Sequence, residues 1–139
     1  MVLGAIFAVS IAMGLISYGQ FMDSEARIQS DFGGIRELGA TVDVDGCVDA
    51  VIAWHGQCDA MKVLCDKSVG RMMEQCLDGG DRSGYCGRVD FTSNANSGFG
   101  YQQCKERGSH ATRTAKKVCG TTYRAIAFHC KTREPGGNG

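Results

Sequence analysis

The sequence lacks closely spaced cysteines. It contains eight cysteines, but no two are separated by only two to four residues, which excludes the spacings of zinc ribbons, ferredoxins and thioredoxins. There is no C-x-x-C-H segment for covalent attachment of haem, and the three histidines are His55, His110 and His129. We therefore expect no metal site and no cofactor.

The sequence also lacks an excess of charge of either sign. Fifteen basic and fifteen acidic residues cancel, which leaves no electrostatic footprint for nucleic acid. A catalytic constellation is missing too, because no Ser-His-Asp set or Cys-His dyad remains once the cysteines are oxidised. We therefore expect neither a nucleic-acid partner nor enzymatic activity.

The N-terminal segment also lacks charged side chains, since the first charged residue of the sequence is Asp23. A helix over the 22 residues before it would be about 33 Å long, enough to cross the hydrocarbon core of a bilayer. A cleaved signal peptide normally has a basic first segment and an A-x-A-like cleavage site, and the sequence has neither. We predict that residues 1–22 form a retained membrane or assembly helix.

Small residues line one face of this predicted helix. Gly4, Ala8 and Ala12 recur every four positions, and Ser10 and Gly14 form a second pair with the same spacing. Such faces let helices approach closely in an environment without water, although a span that is simply rich in alanine and glycine would show the same pattern. We predict that these five positions pack against other helices.

The N-terminal segment resembles a known family. A single-span protein normally carries Lys or Arg on its cytoplasmic side, and the removal of a basic leader would explain why only Met1 precedes Val2. "RIQSDFGGIRELGA" (residues 27–40) resembles the segment after the apolar helix in tight-adherence pilus proteins, and the first forty residues resemble type IV pilin-like subunits. Met1 and Ala5 depart from type IV pilins, which have Phe and Glu there. The resemblance implies a helix that anchors the subunit in the membrane and later packs into a filament core.

The periodicity of apolar residues extends the first helix beyond the span. Ile28, Phe32, Ile35 and Leu38 recur at spacings of three and four, which predicts an amphipathic helix to about residue 38. We therefore assign residues 1–40 to an N-terminal helix that serves as membrane anchor or filament core.

The remaining chain is predicted to be a disulfide-rich helical head over residues 41–134, followed by a flexible tail over 135–139. Asp45 is the predicted N-cap of a second helix that runs from about Cys47 to Leu77. Residues 78–100 are rich in Gly, Asn and Ser and indicate a long ordered loop. A third helix is predicted over 101–131. The predicted fold is thus all-α, with a long apolar helix before a disulfide-stapled antiparallel hairpin.

The even number and wide spacing of the cysteines predict disulfides in an oxidising compartment. Those in residues 47–76 are spaced by eleven, seven and eleven, and both intervals return a helix to within about 20° of its starting direction. The second helix therefore carries one narrow cysteine seam. In an antiparallel hairpin, facing residues have numbers that add to a nearly constant total, which predicts the pairs Cys47–Cys130, Cys58–Cys119 and Cys76–Cys104 and leaves Cys65 for Cys86. The alternative replaces the last two with Cys65–Cys104 and Cys76–Cys86.

Three other segments have two interpretations each. His55 and His129 are predicted to lie a turn or two apart, as a metal-binding pair or as ordinary packing residues. "DGGDRSG" (residues 78–84) weakly resembles a calcium loop but lacks its spacing, so a Gly-rich turn is favoured. The basic stretch 105–117 is either a solvated helix face or a polyanion site.

These features predict a structural subunit of an extracellular pilus-like filament, anchored through residues 1–22 and assembling with copies of itself. The alternative is a single-span, membrane-anchored accessory subunit of a larger membrane complex. In both, the stapled head is extracytoplasmic.

Overall fold

A computed structural model describes residues 2–89, 91 and 98–133, with side chains from Gly4 onward. Every regular element in these residues is a helix, which confirms the predicted all-α fold with a long N-terminal apolar helix. The predicted tail 135–139 and part of the predicted loop lie outside the described residues. The helices are α1 (Val2–Gly39), α2 (Val44–Gln57), α3 (Lys62–Asp78), α4 (Ser83–Cys86), α5 (Tyr101–Glu106) and α6 (Arg113–Arg133).

The C-terminal half of α1 packs against the head through one face. Ile28, Phe32 and Ile35 are buried there, as the spacing of apolar residues predicts. Leu38 is 39% exposed, contrary to the prediction, because the next residue, Gly39, occupies the contact with α3. The packed face therefore ends on a glycine.

The predicted second helix is two helices. Residues 58–61 interrupt it with extended backbone at Cys58 and Met61, and α3 then turns back against α2. The N-cap of α2 is Asp43 instead of the predicted Asp45, and its side chain accepts the N–H of Gly46 at 2.8 Å. The break lets both halves bury the same cysteine seam between them, which a single straight helix could not do.

The predicted third helix is also interrupted. It consists of α5 and α6, which are separated by turns at residues 107–112, where Gly108 has a φ of +69°. A left-handed residue ends a helix readily when it is glycine, because no Cβ meets the backbone.

The directions of the helices follow from their contacts. Two disulfides, Cys47–Cys76 and Cys58–Cys65, join α2 and α3 at matched levels, so this pair is antiparallel. Thr121 lies beside Gly70, and His129 lies 3.6 Å from Asp78, so α6 runs parallel to α3. The stapled antiparallel hairpin is therefore α2–α3, and the predicted pairing of residues 47–77 with residues 101–131 is wrong because α6 runs parallel to α3.

All eight cysteines form disulfides, but every predicted pair is wrong, including the alternative pairs. The observed bridges are Cys47–Cys76, Cys58–Cys65, Cys86–Cys130 and Cys104–Cys119. The rule of a constant total holds, since the residue numbers of both α2–α3 bridges add to 123. It applies within the predicted second helix because that helix folds back on itself.

The core of the head lies where α3 meets α1, α2 and α6. Its side chains are largely aliphatic or sulfur-containing, and the fully buried ones include Ile28, Val48, Val51, Val69, Met72, Met73, Leu77, Tyr123 and Ile126. Small domains bury a smaller fraction of their surface than large ones, so covalent cross-links are an expected source of stability in a head of this size.

Candidate functional site

The described side chains in the N-terminal half of α1 are exposed, and none is buried against the head. All side chains from Gly4 to Met22, here named the apolar span, are exposed, and Phe7 and Leu15 are 71% and 67% exposed. The helix is long and apolar enough to cross a membrane. A helix whose surface is apolar all round requires an apolar environment from lipid or from other helices.

The small residues of the span are part of this exposed surface. A Cβ added at Gly4 or at Gly14 would meet no atom within 4 Å. The hydroxyl of Ser10 donates to the carbonyl oxygen of Ile6 at 2.9 Å, so its polar group is satisfied inside the helix. Packing of a second helix on Gly4, Ala8, Ala12, Ser10 and Gly14 therefore stays a prediction, and the surface for it is open.

The span meets the head at Ser24, the first buried residue of α1. The hydroxyl oxygen of Ser24 accepts the backbone N–H of Met61 at 3.2 Å. Further along α1, the Asp31 carboxylate accepts the indole N–H of Trp54 at 2.8 Å. These contacts attach α1 to both helices of the stapled hairpin, so the direction of the span is fixed relative to the head.

The opposite end of the head, here named the distal end, is organised around Arg82. This side chain is buried, and its guanidinium donates to the carbonyl oxygens of Gly39 at 2.5 Å and Val42 at 2.7 Å. It also donates to the carbonyl oxygens of Cys76 at 3.2 Å and Leu77 at 3.3 Å. The C-terminal ends of α1 and α3 carry partial negative charge and unpaired carbonyls, so one cation satisfies both ends.

A cavity of about 410 Å³ adjoins Arg82, between the segment 80–87 and the end of α6. Two of its lining residues are already paired, because Arg133 donates to Asp78 at 2.6 Å and His129 lies 3.6 Å from the same carboxylate. Burial lowers the pKa of His129, and the neighbouring Arg133 lowers it further. The cavity thus borders a structural network whose donors are already engaged with protein groups.

The two histidines predicted to lie close together are at opposite ends of α3. His55 forms a 2.7 Å hydrogen bond with Asp66 near the start of α3, and His129 lies near Asp78 at its end. The hydrogen bond from His55 lowers the pKa of Asp66. The predicted proximity of His55 and His129 is wrong because α6 runs parallel to α3.

The loop that weakly resembles a calcium site does not bring its carboxylates together. Asp78 faces α6, whereas Asp81 accepts the backbone N–H of Ser83 at 2.9 Å. Among the residues that the structure describes, no group of three or more His, Cys, Asp or Glu side chains could hold a metal ion. The favoured interpretation of residues 78–84 as a Gly-rich turn agrees with this geometry.

The basic stretch 105–117 does not form one helix face. It spans the end of α5, a turn and the start of α6. Arg107 points inward, where it pairs with Asp45 at 2.7 Å, contacts Asp49 and donates to the hydroxyl oxygen of Tyr123 at 3.3 Å. The sequence analysis placed Arg107 among the surface cations, but its ion pairs link the end of α5 to α2.

Comparison of the chain with protein-family models, with curated proteins and with solved structures finds no match. The features that bear on function are therefore the exposed span, its attachment to the head and the disulfides.

Proposed function

We propose that this chain is a structural subunit of an extracellular pilus-like filament, in which the N-terminal helices pack in the core and the stapled heads lie outside. The observation that carries the proposal is the continuity of α1, since the exposed apolar span and the half packed on the head are one uninterrupted helix. Because a continuous helix has no flexible joint, packing of the spans in a core would fix the positions of the heads.

The apolar surface of the span supports the same role. In a bilayer the span would anchor the subunit before assembly, and in a filament it would be covered by the spans of neighbouring copies. Its small residues would permit close helix–helix approach where the hydrophobic effect supplies no driving force. The same residues would therefore serve both the anchored and the assembled state.

The disulfides of the head support an extracytoplasmic position. Four bridges in a small domain are typical of proteins that fold in oxidising compartments. A fibre outside the cell is exposed to shear and to proteases, and cross-links slow unfolding under both. The head would therefore be the durable outer layer of the filament.

The experiment is to isolate the protein from cells that produce it and to image the surface fraction by electron microscopy with an antibody against the head. Filaments labelled along their length, with an N-methylated first residue in mass spectra, are the expected result. Ala8→Leu places a large side chain on the small-residue face and should prevent assembly. Val9→Leu, the neighbouring position with a side chain that is already large, is the matched control and should assemble.

The alternative is a single-span, membrane-anchored accessory subunit with an extracytoplasmic stapled domain. It would give a different result in the same preparation. The protein would co-purify with other membrane subunits in a fixed ratio, would form no fibres, and Ala8→Leu would leave the protein in the membrane. That outcome would reject the filament proposal.

A further inference from the structure

The turn between α2 and α3 lies beside the end of the apolar span. Met61 donates its backbone N–H to Ser24, and Asp59 forms an ion pair with Arg27 at 2.9 Å. Ser24 follows the last residue of the span, Met22, by only two positions. These two contacts place the turn at the end of the head that faces the span, whereas Arg82 and its carbonyl partners form the distal end.

Apolar side chains continue from the span onto this turn. Met61 is 42% exposed and Val63 is 51% exposed, although both belong to the head. On α1, Phe21 is 42% exposed and lies three residues before Ser24, on the same face of the helix. The apolar surface therefore extends past the span and onto the adjoining part of the head.

The charged residue between Met61 and Val63, at the start of α3, suits a boundary between lipid and water. Lys62, the first residue of α3, stands between the two apolar residues; its side chain is 71% exposed, and its ammonium group pairs with Asp66 at 3.2 Å. A lysine at such a position can lay its aliphatic stem along apolar surface while its ammonium group stays in water. Exposed apolar side chains flanking a lysine are typical of segments that lie in the membrane interface.

The turn is held in shape by links on both sides. The Cys58–Cys65 disulfide closes it with a sequence separation of 7, and the 2.7 Å contact of His55 with Asp66 joins the same two helices just beyond it. A segment that is ordered before binding loses little conformational entropy when it binds. The turn is therefore preorganised to present Met61 and Val63 outward.

We propose that Met61 and Val63 dock into the lipid interface beside the emerging span, so that the head contacts the bilayer surface at a second point. The inference rests on the proposed membrane anchor and adds a specific orientation of the head. A lipid surface is favoured over a second copy of the chain because the apolar residues of the turn adjoin the end of the span. Two points of contact would hold the head against the membrane before assembly.

The test uses the methyl groups of the native methionines as reporters. The full chain, labelled with carbon-13 at the methionine methyls, is placed in phosphatidylcholine nanodiscs that contain an acyl-chain spin label. Met13 reports on the span, and Met22 on its end, with an exposure of 48% close to that of Met61. Met72 and Met73 lie farther along α3, about 16 Å or more from Met61 along the helix axis, and serve as distant negative controls. Single Met→Leu substitutions assign the signals.

We expect the Met61 signal to lose intensity to the same extent as the Met22 signal, while those of Met72 and Met73 are unchanged. A Met61 signal that resembles Met72 while Met13 is broadened would overturn the docking and leave the anchor intact. A Met13 signal that is not broadened would instead reject the anchor itself.

A second measurement adds a water-soluble gadolinium chelate to the same sample. Broadening of Met61 by the chelate with none from the lipid label would place the turn in water and reject the proposal. Protection of Met61 from both agents would show that another copy covers the turn, which also rejects it. Protection from the chelate together with broadening by the lipid label supports it.

Discussion

Gly39 and Gly79 lie against each other where α1 and α3 end. A Cβ on Gly39 would overlap the carbonyl oxygen of Cys76, and a Cβ on Gly79 would overlap that of Arg36. The obstacles are backbone atoms, which cannot rotate away as a side chain can. Glycine at both positions is therefore what allows the two helix ends to approach closely enough to share the Arg82 guanidinium.

Substitution of either glycine should destabilise the head. We expect Gly39→Ala and Gly79→Ala each to lower the free energy of unfolding by about 1–3 kcal/mol or more, since overpacking against backbone forces the helices apart. Gly33→Ala is the matched control on the same helix, because a Cβ there meets no atom within 4 Å. It should raise the stability by about 0.5–1 kcal/mol through helix propensity. Thermal unfolding in detergent micelles, followed by circular dichroism, measures all three.

Loss of the Arg82 guanidinium should also be damaging. Arg82→Met would leave the carbonyl oxygens that it satisfies at the ends of α1 and α3 without donors, at an expected cost of about 3 kcal/mol or more. Arg88→Met, an exposed arginine six residues later, should change stability by less than about 0.5 kcal/mol. Equal stability of the two variants in urea titrations would contradict the role assigned to Arg82.

The disulfide pairing can be read from peptides under non-reducing conditions. Trypsin should leave SGYCGR (residues 83–88) linked to AIAFHCK (residues 125–131) through Cys86–Cys130. A second digest that cuts before Asp49 separates Cys47 from Cys58 and should link each to its own partner on α3. A peptide that joins Cys58 to α6 would contradict the α2–α3 hairpin.

The bridges should differ in their contribution to stability. Cys86–Cys130 closes a sequence separation of 44 and Cys58–Cys65 one of 7, so chain entropy predicts about 1.6 kcal/mol more from the longer loop. Replacement of both cysteines of each bridge by serine, with chemical denaturation, tests the ranking. A larger loss from the Cys58–Cys65 pair would show that this turn stabilises the native state by more than chain entropy.

Stability should depend on pH through His129. Its pKa is lowered below 6.5 in the folded state by burial and by Arg133, with Arg82 acting in the same direction and Asp78 opposing. The unfolded chain therefore binds the proton more readily than the folded protein does. The free energy of unfolding should have its full value above pH 6.5, where His129 is neutral in both states, and should fall as the pH decreases from there through the pKa of the folded state. Urea titrations from neutral to mildly acidic pH should show this slope, and His129→Gln should reduce it. An unchanged slope in the variant would assign the effect to other groups.

The sequence allowed the class of the fold to be predicted more securely than its connections. The apolar period of Ile28, Phe32 and Ile35 identified the packed face of α1, because helical geometry is local. The break at residues 58–61 was not evident, since Gly56 is tolerated within helices and no proline marks the turn. Because the chain turns back at this break, Cys58 pairs with Cys65, and the hairpin forms between α2 and α3.

The distal end was even less accessible to sequence reasoning. Arg82 lies in a Gly-rich segment that indicates only a turn, yet its side chain joins residues up to 43 positions apart. No local pattern marks a cation that satisfies the carbonyls of distant helix ends. The close approach of Gly39 and Gly79 also depends on two residues that are distant in the sequence, so neither glycine by itself predicts it.

The sequence by itself determined the helical content, the uncharged apolar span and the oxidised state expected of eight widely spaced cysteines. These follow from composition and from periodicities that operate over a few turns of one helix. Only the tertiary structure decided where the helices turn back, which cysteines meet and how α1 joins the head. Those features depend on which surfaces can be buried together, and residues such as Ser24 and Met61 are brought into contact only when the whole chain folds.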